Sequence, residues 1–396
     1  MTAPPPSPAR AGAGLARLRL FNFRNYAELN VELAAGLNVF VGENAQGKTN
    51  LLEAVATLLL TKSPRAGNAA ELVRWGTDEA AVDAELTRGT VTEALALRLR
   101  RVHDPGEDNR GDARPRVSRT TSRDGHPIAP RDLLGRWPVV LFWPDDLQLV
   151  KAGPEARRRL LDVLVAQLDR AAADELLRYR RALEQRNALL RRLHAGVATG
   201  ADELRPFDDA LVRHGASIQL ARAQLVRELA PLATAAVAEI TDSADSLELR
   251  YAPQSREMSE DRETVVSALR SALRRAHDEE LARGTTVVGP HRDDLEFLLN
   301  GRSARSTASQ GQQRSAVLAT KIAEVRLVHM RSGQMPLLLL DDVLSELDPA
   351  RRERLLSALS ADGGAPQTLV TSAEEDILRA HRAQRFVVRQ GSVAAG

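Results

Sequence analysis

The sequence predicts an α/β fold in which a lobe built on a mixed sheet is interrupted by an inserted, mainly helical second lobe. Alternating apolar residues and short apolar runs indicate strands over residues 15–41. A charged block with helical periodicity then runs from Glu155 to His194 without an internal glycine or proline. Strand patterns return from Thr285 onwards, so we expect the two outer pieces to form one parallel-rich sheet.

These patterns divide the chain into four stretches. We predict a disordered leader over residues 1–14, the N-terminal part of the sheet lobe over 15–130, the helical lobe over 131–284 and the C-terminal part of the sheet lobe over 285–391. The leader is rich in proline, glycine and alanine and lacks the apolar core of a signal peptide. Neither long helical stretch sustains a heptad, so we predict no long coiled coil.

The same periodicities place individual elements. The predicted helices are Lys48–Leu60, Glu155–His194, Leu204–Ile240, Ser259–Arg283 and Gln312–Met330. The predicted strands beyond residue 41 are Val91–Val102, Thr285–Val288, Leu295–Leu299, Leu337–Leu340 and Thr368–Val370.

Composition narrows the classes of function. The 396 residues are 43% hydrophobic, which is enough for one large core or two ordinary ones. The absence of cysteine excludes a disulfide framework, a thiolate metal site and a cysteine nucleophile, and it agrees with a cytoplasmic location. No apolar run is long enough to span a bilayer, so we expect no membrane partner.

Arginine carries nearly all of the positive charge. The formal net charge is only +2, but residues 96–126 hold eight arginines against five acidic residues. A guanidinium group suits phosphate because its planar fork donates two parallel hydrogen bonds. Charge alone leaves a DNA-binding face and a plain solvated surface equally open.

Residues 42–49 form a glycine-rich phosphate loop, G-x-x-x-x-G-K-T, between a predicted strand and a predicted helix. Glycines let the chain turn around an anion, and the amides at the helix start point at that anion. We expect Lys48 to reach the β and γ phosphates of ATP and act in catalysis, and Thr49 to ligate Mg²⁺. A purely structural glycine turn is the alternative, which the strand–loop–helix setting disfavours. The predicted nucleotide-binding residues here are Gly42, Glu43, Asn44, Ala45, Gln46, Gly47, Lys48, Thr49 and Asn50.

A second acidic motif follows an apolar strand that begins at Pro336. Asp341 and Asp342 come at its carboxyl end, where α/β sheets place ligand-binding groups. We expect Asp341 to hold Mg²⁺ directly or through water, and Asp342 to orient the attacking water. The alternative is a carboxylate pair that only caps the next helix.

Further motifs resemble a known class of ATPase. The stretch SQGQQR (309–314) resembles the signature motif of ABC-type ATPases, and SELD (345–348) resembles their D-loop. More narrowly, the chain resembles the RecF family of bacterial recombination proteins across roughly residues 15–391. The matching stretches are NFRNY (22–26), GENAQGKTNLLE (42–53), ELVRWG (71–76), VGPHRDD (288–294), SQGQQR (309–314) and LDDVLSELD (340–348).

This resemblance implies an ABC-type ATPase head of the SMC-like superfamily with a second helical lobe. It implies ATP and Mg²⁺ as cofactors, a homodimer formed on ATP binding, and slow hydrolysis. It also implies binding of DNA (mainly duplex, gapped or junction DNA), partners of the RecR and RecO type, and a role in loading the strand-exchange recombinase during repair and replication restart. Because the signature of one subunit caps the ATP of the other in this family, it implies nucleotide contacts for Ser309, Gly311, Gln312 and Gln313.

The chain departs from transporter-type ABC heads at two positions. Such heads carry a glutamate after the strand aspartate, where this chain has Asp342, and the shorter carboxylate agrees with slow hydrolysis. They also carry a histidine after the last strand, where this chain has Thr371 and Ser372. Gln148 is the candidate for the Q-loop glutamine. His291 and Arg292 have two possible roles. They either lie near a DNA-binding or dimer surface, or form an ion pair with one of the aspartates that follow them.

Two other classes of function remain open from the sequence. A motor ATPase of a membrane transporter would share the phosphate loop and the signature. About 260 residues separate Thr49 from Ser309, however, far more than such motors use. A structural protein with residual nucleotide binding would share the loop without nucleotide-dependent dimerisation.

Overall fold

The computed structural model describes residues 14–102, 116–197, 200–254, 259–360, 365–379 and 381–396. Contacts between residues divide the chain into two compact units. The first unit comprises Met1–Pro144 and Val328–Gly396, and the second comprises Asp145–Leu327. The predicted leader lies outside the described residues except for Gly14, which begins the first strand.

Both units contain strands and helices. In chain order the strands are β1 (Gly14–Phe23), β2 (Tyr26–Glu32), β3 (Leu37–Val41), β4 (Glu79–Arg88), β5 (Val91–Val102), β6 (Arg116–Arg123), β7 (His126–Ile128), β8 (Val139–Phe142), β9 (Leu247–Ala252), β10 (Asp294–Leu299), β11 (Arg302–Ser303), β12 (Leu337–Asp341), β13 (Thr368–Ser372), β14 (Ala383–Arg389) and β15 (Ser392–Ala395). The helices are α1 (Lys48–Leu59), α2 (Pro130–Leu133), α3 (Pro154–Leu168), α4 (Arg170–His194), α5 (Arg205–Thr241), α6 (Arg262–Arg283), α7 (Ala304–Thr307), α8 (Gln310–Ser332) and α9 (Pro349–Ser360). Short 3-10 helices lie at Ala69–Leu72, Pro144–Gln148, Ala201–Leu204 and Pro290–Arg292.

A parallel-rich sheet in the first unit has the strand order β15-β14-β3-β13-β12-β8. Neighbouring strands run parallel except for β14 and β15 at one edge. Strands β12 and β13 are buried at every position, which explains why they read as apolar runs without alternation. Register pairs Ser372 with Val41 and Asp341 with Thr371, so the carboxyl ends of β3, β13 and β12 lie side by side.

The other sheet of the first unit is antiparallel, with the order β2-β1-β4-β5-β6-β7. Buried and exposed residues alternate along β4 and β5, so one face packs inward and the other meets solvent. On the solvent face, Arg98 pairs with Asp83 at 2.8 Å. Helix α1 contacts strands of both sheets, and Leu51, Leu52 and most of its other residues are buried.

The second unit is mainly helical. Helix α4 packs against α5, and α6 packs against both. A small antiparallel sheet with the order β11-β10-β9 contacts α5 through β9. In the part of the chain that the structure describes, no helix is long and apolar enough to cross a membrane.

The boundaries of the two structural units differ from those of the predicted lobes. Strand β8 lies inside the stretch 131–284, which we predicted to be the helical lobe, yet it pairs with β12 in the parallel-rich sheet. Residues 285–327, predicted to belong to the sheet lobe, fall in the second unit, where β10 pairs with β9.

The predicted strand Thr285–Val288 is wrong, because this segment is irregular. Thr286 donates its backbone N–H to Asn187 Oδ1 at 2.8 Å, and Val287 donates its own to Glu280 Oε1 at 2.8 Å. Side chains of two helices therefore accept the backbone hydrogen bonds that a neighbouring strand would otherwise accept.

The predicted continuous helix from Glu155 to His194 is also wrong, because it breaks at Asp169. The Asp169 carboxylate accepts from the Ala172 backbone N–H at 3.0 Å and so caps α4. Strands β4, β9 and β14 were not predicted. All three alternate in burial, with small or polar residues interrupting the apolar pattern.

Candidate nucleotide-binding site

The phosphate loop joins the carboxyl end of β3 to the start of α1. Gly47 lies immediately before the helix with a φ of 111°, a conformation that favours glycine. A Cβ on Gly42 would collide with the Val388 carbonyl oxygen, and one on Gly47 would collide with the Asn25 side chain. Glycine is therefore required at both positions, because neighbouring atoms approach the backbone too closely to leave room for a Cβ. Three predicted loop residues are exposed at the rim: Glu43, Asn44 and Ala45.

Lys48 points its ammonium group back into this loop. Its Nζ donates to the carbonyl oxygens of Gly42 at 2.6 Å and Glu43 at 2.8 Å. Burial lowers the pKa of Lys48, while the nearby carboxylates of Asp342 and Asp341 act in the opposite direction. The loop thus gathers a cation and the amides of a helix N-terminus around one small space, which suits a phosphate group.

Asp341 receives two hydroxyl donors on the same oxygen. Thr49 Oγ1 donates to Asp341 Oδ1 at 2.9 Å, and Thr371 Oγ1 donates to it at 2.7 Å. Burial raises the pKa of Asp341, and these two hydrogen bonds counteract that shift. The structure therefore brings together the predicted residues Thr49 and Asp341, and it adds Thr371.

The Thr49–Asp341 pair fits a magnesium ion. Hydroxyl and carboxylate oxygens are the ligands that Mg²⁺ prefers, and in nucleotide sites it takes only one or two from the protein. The Thr49 hydroxyl can donate its hydrogen to Asp341 while its oxygen lone pairs stay available for a cation. Within the described ranges, no group of three or more His, Asp or Glu side chains could form a complete protein cage for a metal.

Asp342 is held in an uncommon backbone conformation, with a φ of 52°. Its backbone N–H donates to the Thr371 carbonyl at 3.1 Å and to the Thr371 hydroxyl at 3.0 Å. Its Oδ1 accepts a hydrogen bond from the Ser345 hydroxyl at 2.6 Å. The carboxylate predicted to orient water is therefore tied to the first residue of the D-loop.

Thr371 is the main site residue that the sequence argument passed over. It was noted only as a departure from the usual histidine, whereas its hydroxyl bridges Asp341 Oδ1 and the Asp342 N–H. The available signal was a hydroxyl residue at the end of a second apolar strand. The link to Asp341 needs the parallel register of β12 and β13, which no local pattern contains.

The NFRNY turn between β1 and β2 braces the loop from the side. Asn25 Nδ2 donates to the Gln46 carbonyl at 3.1 Å, and Asn25 Oδ1 accepts from Asn50 Nδ2 at 2.8 Å. Tyr26 donates its hydroxyl to the Gly47 carbonyl at 3.0 Å. Gln46 and Asn50, predicted to contact nucleotide, thus serve at least partly to fix the loop.

An ion pair beneath the same turn is partly buried. Arg24 binds Glu53 of α1 through two hydrogen bonds of 2.9 and 2.8 Å. Glu53 is fully buried and also accepts from Ser63 at 2.6 Å. This pair anchors the turn to the helix that the phosphate loop opens.

The signature residues lie in the second unit, at the start of α8. The exposed Ser309 accepts from the Gln312 N–H at 3.2 Å, while the Ser309 N–H donates to Gln312 Oε1 at 3.1 Å, which forms a capping box. Gln313 is buried and donates to the carbonyl oxygen of Ala308 at 2.9 Å. Gly311 is half-buried on the first turn. Helix α8 begins two residues earlier than predicted.

The VGPHRDD stretch is braced within the second unit. His291 Nδ1 and the Tyr179 hydroxyl share a 2.7 Å hydrogen bond, and burial lowers the pKa of His291 to about 4. Arg292 is exposed and donates to the Thr286 carbonyl at 3.2 Å. Of the two alternatives left open by the sequence, the ion pair with the following aspartates is not formed.

Those aspartates have other partners. Asp293 is buried and accepts from Tyr251 and from Gln219, and Asp294 binds Arg157 through two hydrogen bonds of 2.7 and 2.8 Å. Gln148, the Q-loop candidate, is exposed at the end of a 3-10 helix.

Comparison with known proteins decides the family. A family profile described as an AAA domain matches residues 17–129. The DNA replication and repair protein RecF of Symbiobacterium thermophilum is 40% identical over 385 residues, which cover 96% of this chain and 97% of that relative. This chain belongs to the RecF family.

Solved structures agree with the RecF assignment. A structure described as the recombination mediator protein RecF with ATP in the RecFOR pathway matches with a TM-score of 0.83 at 28% identity. The match covers 98% of this chain and 99% of that one. An Smc head domain from Pyrococcus furiosus matches with a TM-score of 0.53 at 15% identity, which shows the shared fold alone. The predicted ATPase-head fold is confirmed, and the transporter alternative gains no support.

Proposed function

We propose that this RecF-family chain is an ATP-dependent DNA-binding protein of recombinational repair and replication restart, in which ATP closes a homodimer on DNA. The observation that carries the proposal is the convergence of Lys48, Thr49 and Asp341 at one edge of the parallel-rich sheet. A solved relative is described as bound to ATP, so ATP is the proposed nucleotide.

Lys48 is proposed to bind the β and γ phosphates. It would exchange its bonds to the Gly42 and Glu43 carbonyls for phosphate oxygens, which are stronger acceptors for an ammonium group. The amides at the start of α1 would add further donors along the loop. Asn25 and Tyr26 keep those amides in place before the nucleotide arrives.

Thr49 and Asp341 are the proposed holders of Mg²⁺, which when bound would offset the negative charge of the phosphates. Thr371 keeps Asp341 oriented through its hydrogen bond to Oδ1. Asp342 is proposed to orient the attacking water. Because its carboxylate is short and already bonded to Ser345, we propose slow hydrolysis to ADP and phosphate.

Ser309 and the Gly311 amide are proposed to contact the γ-phosphate held by a second copy of the chain. Ser309 is exposed at the N-terminus of α8, a helix of 23 residues, where hydrogen-bond donors and a partial positive charge favour an anion. A nucleotide that binds the dimer better than the monomer shifts the population towards the dimer.

DNA, mainly duplex, gapped or junction DNA, is the proposed partner of the dimer. Exposed arginines on β5 and β6, such as Arg100 and Arg116, offer contacts to phosphates. Since the solved relative is assigned to the RecFOR pathway, we also propose partners of the RecR and RecO type and a role in loading the recombinase. A cytoplasmic location is part of the same proposal.

The Ser309→Arg variant tests this function. We expect ATP still to bind one subunit, while dimerisation, hydrolysis and ATP-stimulated DNA binding are lost together. The companion Lys48→Met variant should lose nucleotide binding itself. Full ATP dependence of DNA binding in Ser309→Arg would refute the shared-nucleotide dimer.

A further inference from the structure

A tryptophan of the first unit lies almost wholly in solvent. Trp75 is 95% exposed, although tryptophan is usually well buried. Phe21, 46% exposed, lies on the adjoining end of β1. Tryptophan is enriched at interfaces, because its large ring buries much apolar area on contact.

The backbone that carries Trp75 is fixed in place. Thr77 donates its N–H to the Arg74 carbonyl at 3.2 Å, and Gly76 has a φ of 78°, so residues 74–77 form a β-turn of type II. The Arg74 N–H donates to the Asn22 carbonyl at 2.8 Å, which ties the turn to the end of β1. Trp75 is therefore presented at the tip of an anchored turn, so little backbone freedom is lost when it binds a partner.

Arg74 supplies a positive charge beside Trp75, while the acidic residues Asp78 and Glu79 follow the turn. Arg74 is exposed and, within the described part of the chain, has no carboxylate partner. The Glu71 carboxylate accepts a hydrogen bond from the Asn68 N–H as part of the cap of a 3-10 helix. A second exposed arginine, Arg100, lies on β5 opposite Glu79 of β4, where Arg101 N donates to the Asp78 carbonyl at 2.7 Å beside the turn.

We propose that Trp75 is a stacking platform for an unpaired DNA base, with Arg74 binding an adjacent phosphate; the inference rests on the proposed DNA-binding function and names the form of DNA that this surface takes. An indole face stacks on any base, and a neighbouring guanidinium matches the phosphate that follows. A paired base offers no free face except at an end, so this surface would select the single-stranded part of a gap or junction. Aromatic residues make up only 3% of the chain, but one exposed and anchored ring is enough for stacking.

Intrinsic fluorescence reports on this site directly. Trp137 is buried and Trp143 is half-buried, so Trp75 is the tryptophan most accessible to solvent and to a base. Titration with a short oligothymidylate should quench the emission of the wild-type protein, because a base stacked on indole quenches it. A covalently closed circular duplex, which has no end, should not. The quenching should vanish in Trp75→Phe, while anisotropy of labelled oligothymidylate shows that this variant still binds.

Affinity measurements complete the test. Trp75→Ala should weaken binding to oligothymidylate and to gapped DNA by about tenfold, with duplex affinity unchanged. Leu177→Ala removes another exposed apolar side chain and should bind like the wild type. Thermal unfolding should be the same for all these variants, because Trp75 has little buried area to lose.

Three results would overturn the inference. The first is unchanged emission of the wild-type protein at saturating oligothymidylate, and the second is wild-type affinity of Trp75→Ala for gapped DNA. The third is a Trp75→Ala variant that binds DNA normally but no longer binds a RecR- or RecO-type protein, which would make this a protein-docking surface. If the wild type binds neither duplex nor single strand, the proposed function itself fails. If the wild type binds both and Trp75→Ala does too, only this inference fails.

Discussion

Thr371 donates its hydroxyl hydrogen to Asp341 Oδ1 over 2.7 Å, although 30 residues separate them in the chain. The bond joins the ends of two parallel strands at the site. Because the same hydroxyl accepts from the Asp342 N–H, one side chain orients both acidic residues. Its removal should affect the site more than the fold.

We therefore expect Thr371→Val, which keeps the shape of the side chain, to lower ATP hydrolysis by about tenfold or more, since a small misplacement of a catalytic group is costly. The free energy of unfolding should fall by about 1–3 kcal/mol, because buried Asp341 loses a donor. Steady-state hydrolysis and urea unfolding measure the two effects. Thr368→Val is the matched control, since its hydroxyl bonds the Pro366 carbonyl away from the site. Equal hydrolysis in the two variants would contradict this role for Thr371.

Asp342→Asn should separate binding from chemistry. Asparagine tolerates the φ of 52° and can still accept the bond from Ser345, so folding and ATP affinity should stay close to those of the wild type. Hydrolysis should fall by about a hundredfold, because a neutral amide orients the attacking water less strongly than a carboxylate does. Single-turnover kinetics together with a nucleotide-binding titration measure both quantities. Unchanged hydrolysis would show that another residue orients the attacking water.

Asn25→Ala should loosen the phosphate loop from behind. The variant loses the hydrogen bonds to the Gln46 carbonyl and from Asn50, so the dissociation constant for ATP should rise about fivefold to tenfold. Titration with a fluorescent ATP analogue measures the change. Asn30→Ala, at an exposed position of the neighbouring strand β2, should bind ATP like the wild type. If Asn25 contributes only to stability, Asn25→Ala will lower the unfolding temperature and leave the affinity for ATP unchanged, which would contradict this prediction.

The half-buried His291 should make the second unit sensitive to acid. Burial lowers its pKa to about 4 from the usual 6.5, so between these values the unfolded chain binds more protons than the folded one. Its contribution to stability is complete above pH 6.5 and is lost as pH falls to about 4, by about 3 kcal/mol in total. The difference in unfolding free energy between wild type and His291→Gln should therefore shrink over this range. A difference that is constant from pH 7 to pH 4 would show that His291 does not titrate in this way.

Local sequence was enough to predict the phosphate loop and the acidic strand end. The glycine pattern around Lys48 and the apolar run before Asp341 each describe one short segment whose conformation they largely determine. Thr371 was missed because its role depends on which strands are neighbours, and the apolar runs of β12 and β13 contain no information on their order.

Side-chain partners explain the wrong elements. The β-branched run at Thr285–Val288 matched a strand, but Asn187 and Glu280 supply the hydrogen bonds instead. Asp169 ended a helix that periodicity alone would have continued, because its carboxylate caps the next one. Trp75 could be read as part of the ELVRWG stretch, but its exposure depends on a tertiary anchor at Asn22.

The central claim is that ATP bound at Lys48 joins two copies of the chain. The direct test is the molar mass, measured by sedimentation, of the wild-type protein with ATP and Mg²⁺. It is compared with the mass of the wild-type protein with ADP and of Lys48→Met with ATP and Mg²⁺. The account predicts a dimer for the wild type with ATP and a monomer in the other two samples. A wild-type monomer at saturating ATP, or a Lys48→Met dimer with the same mass as the wild type, would contradict it.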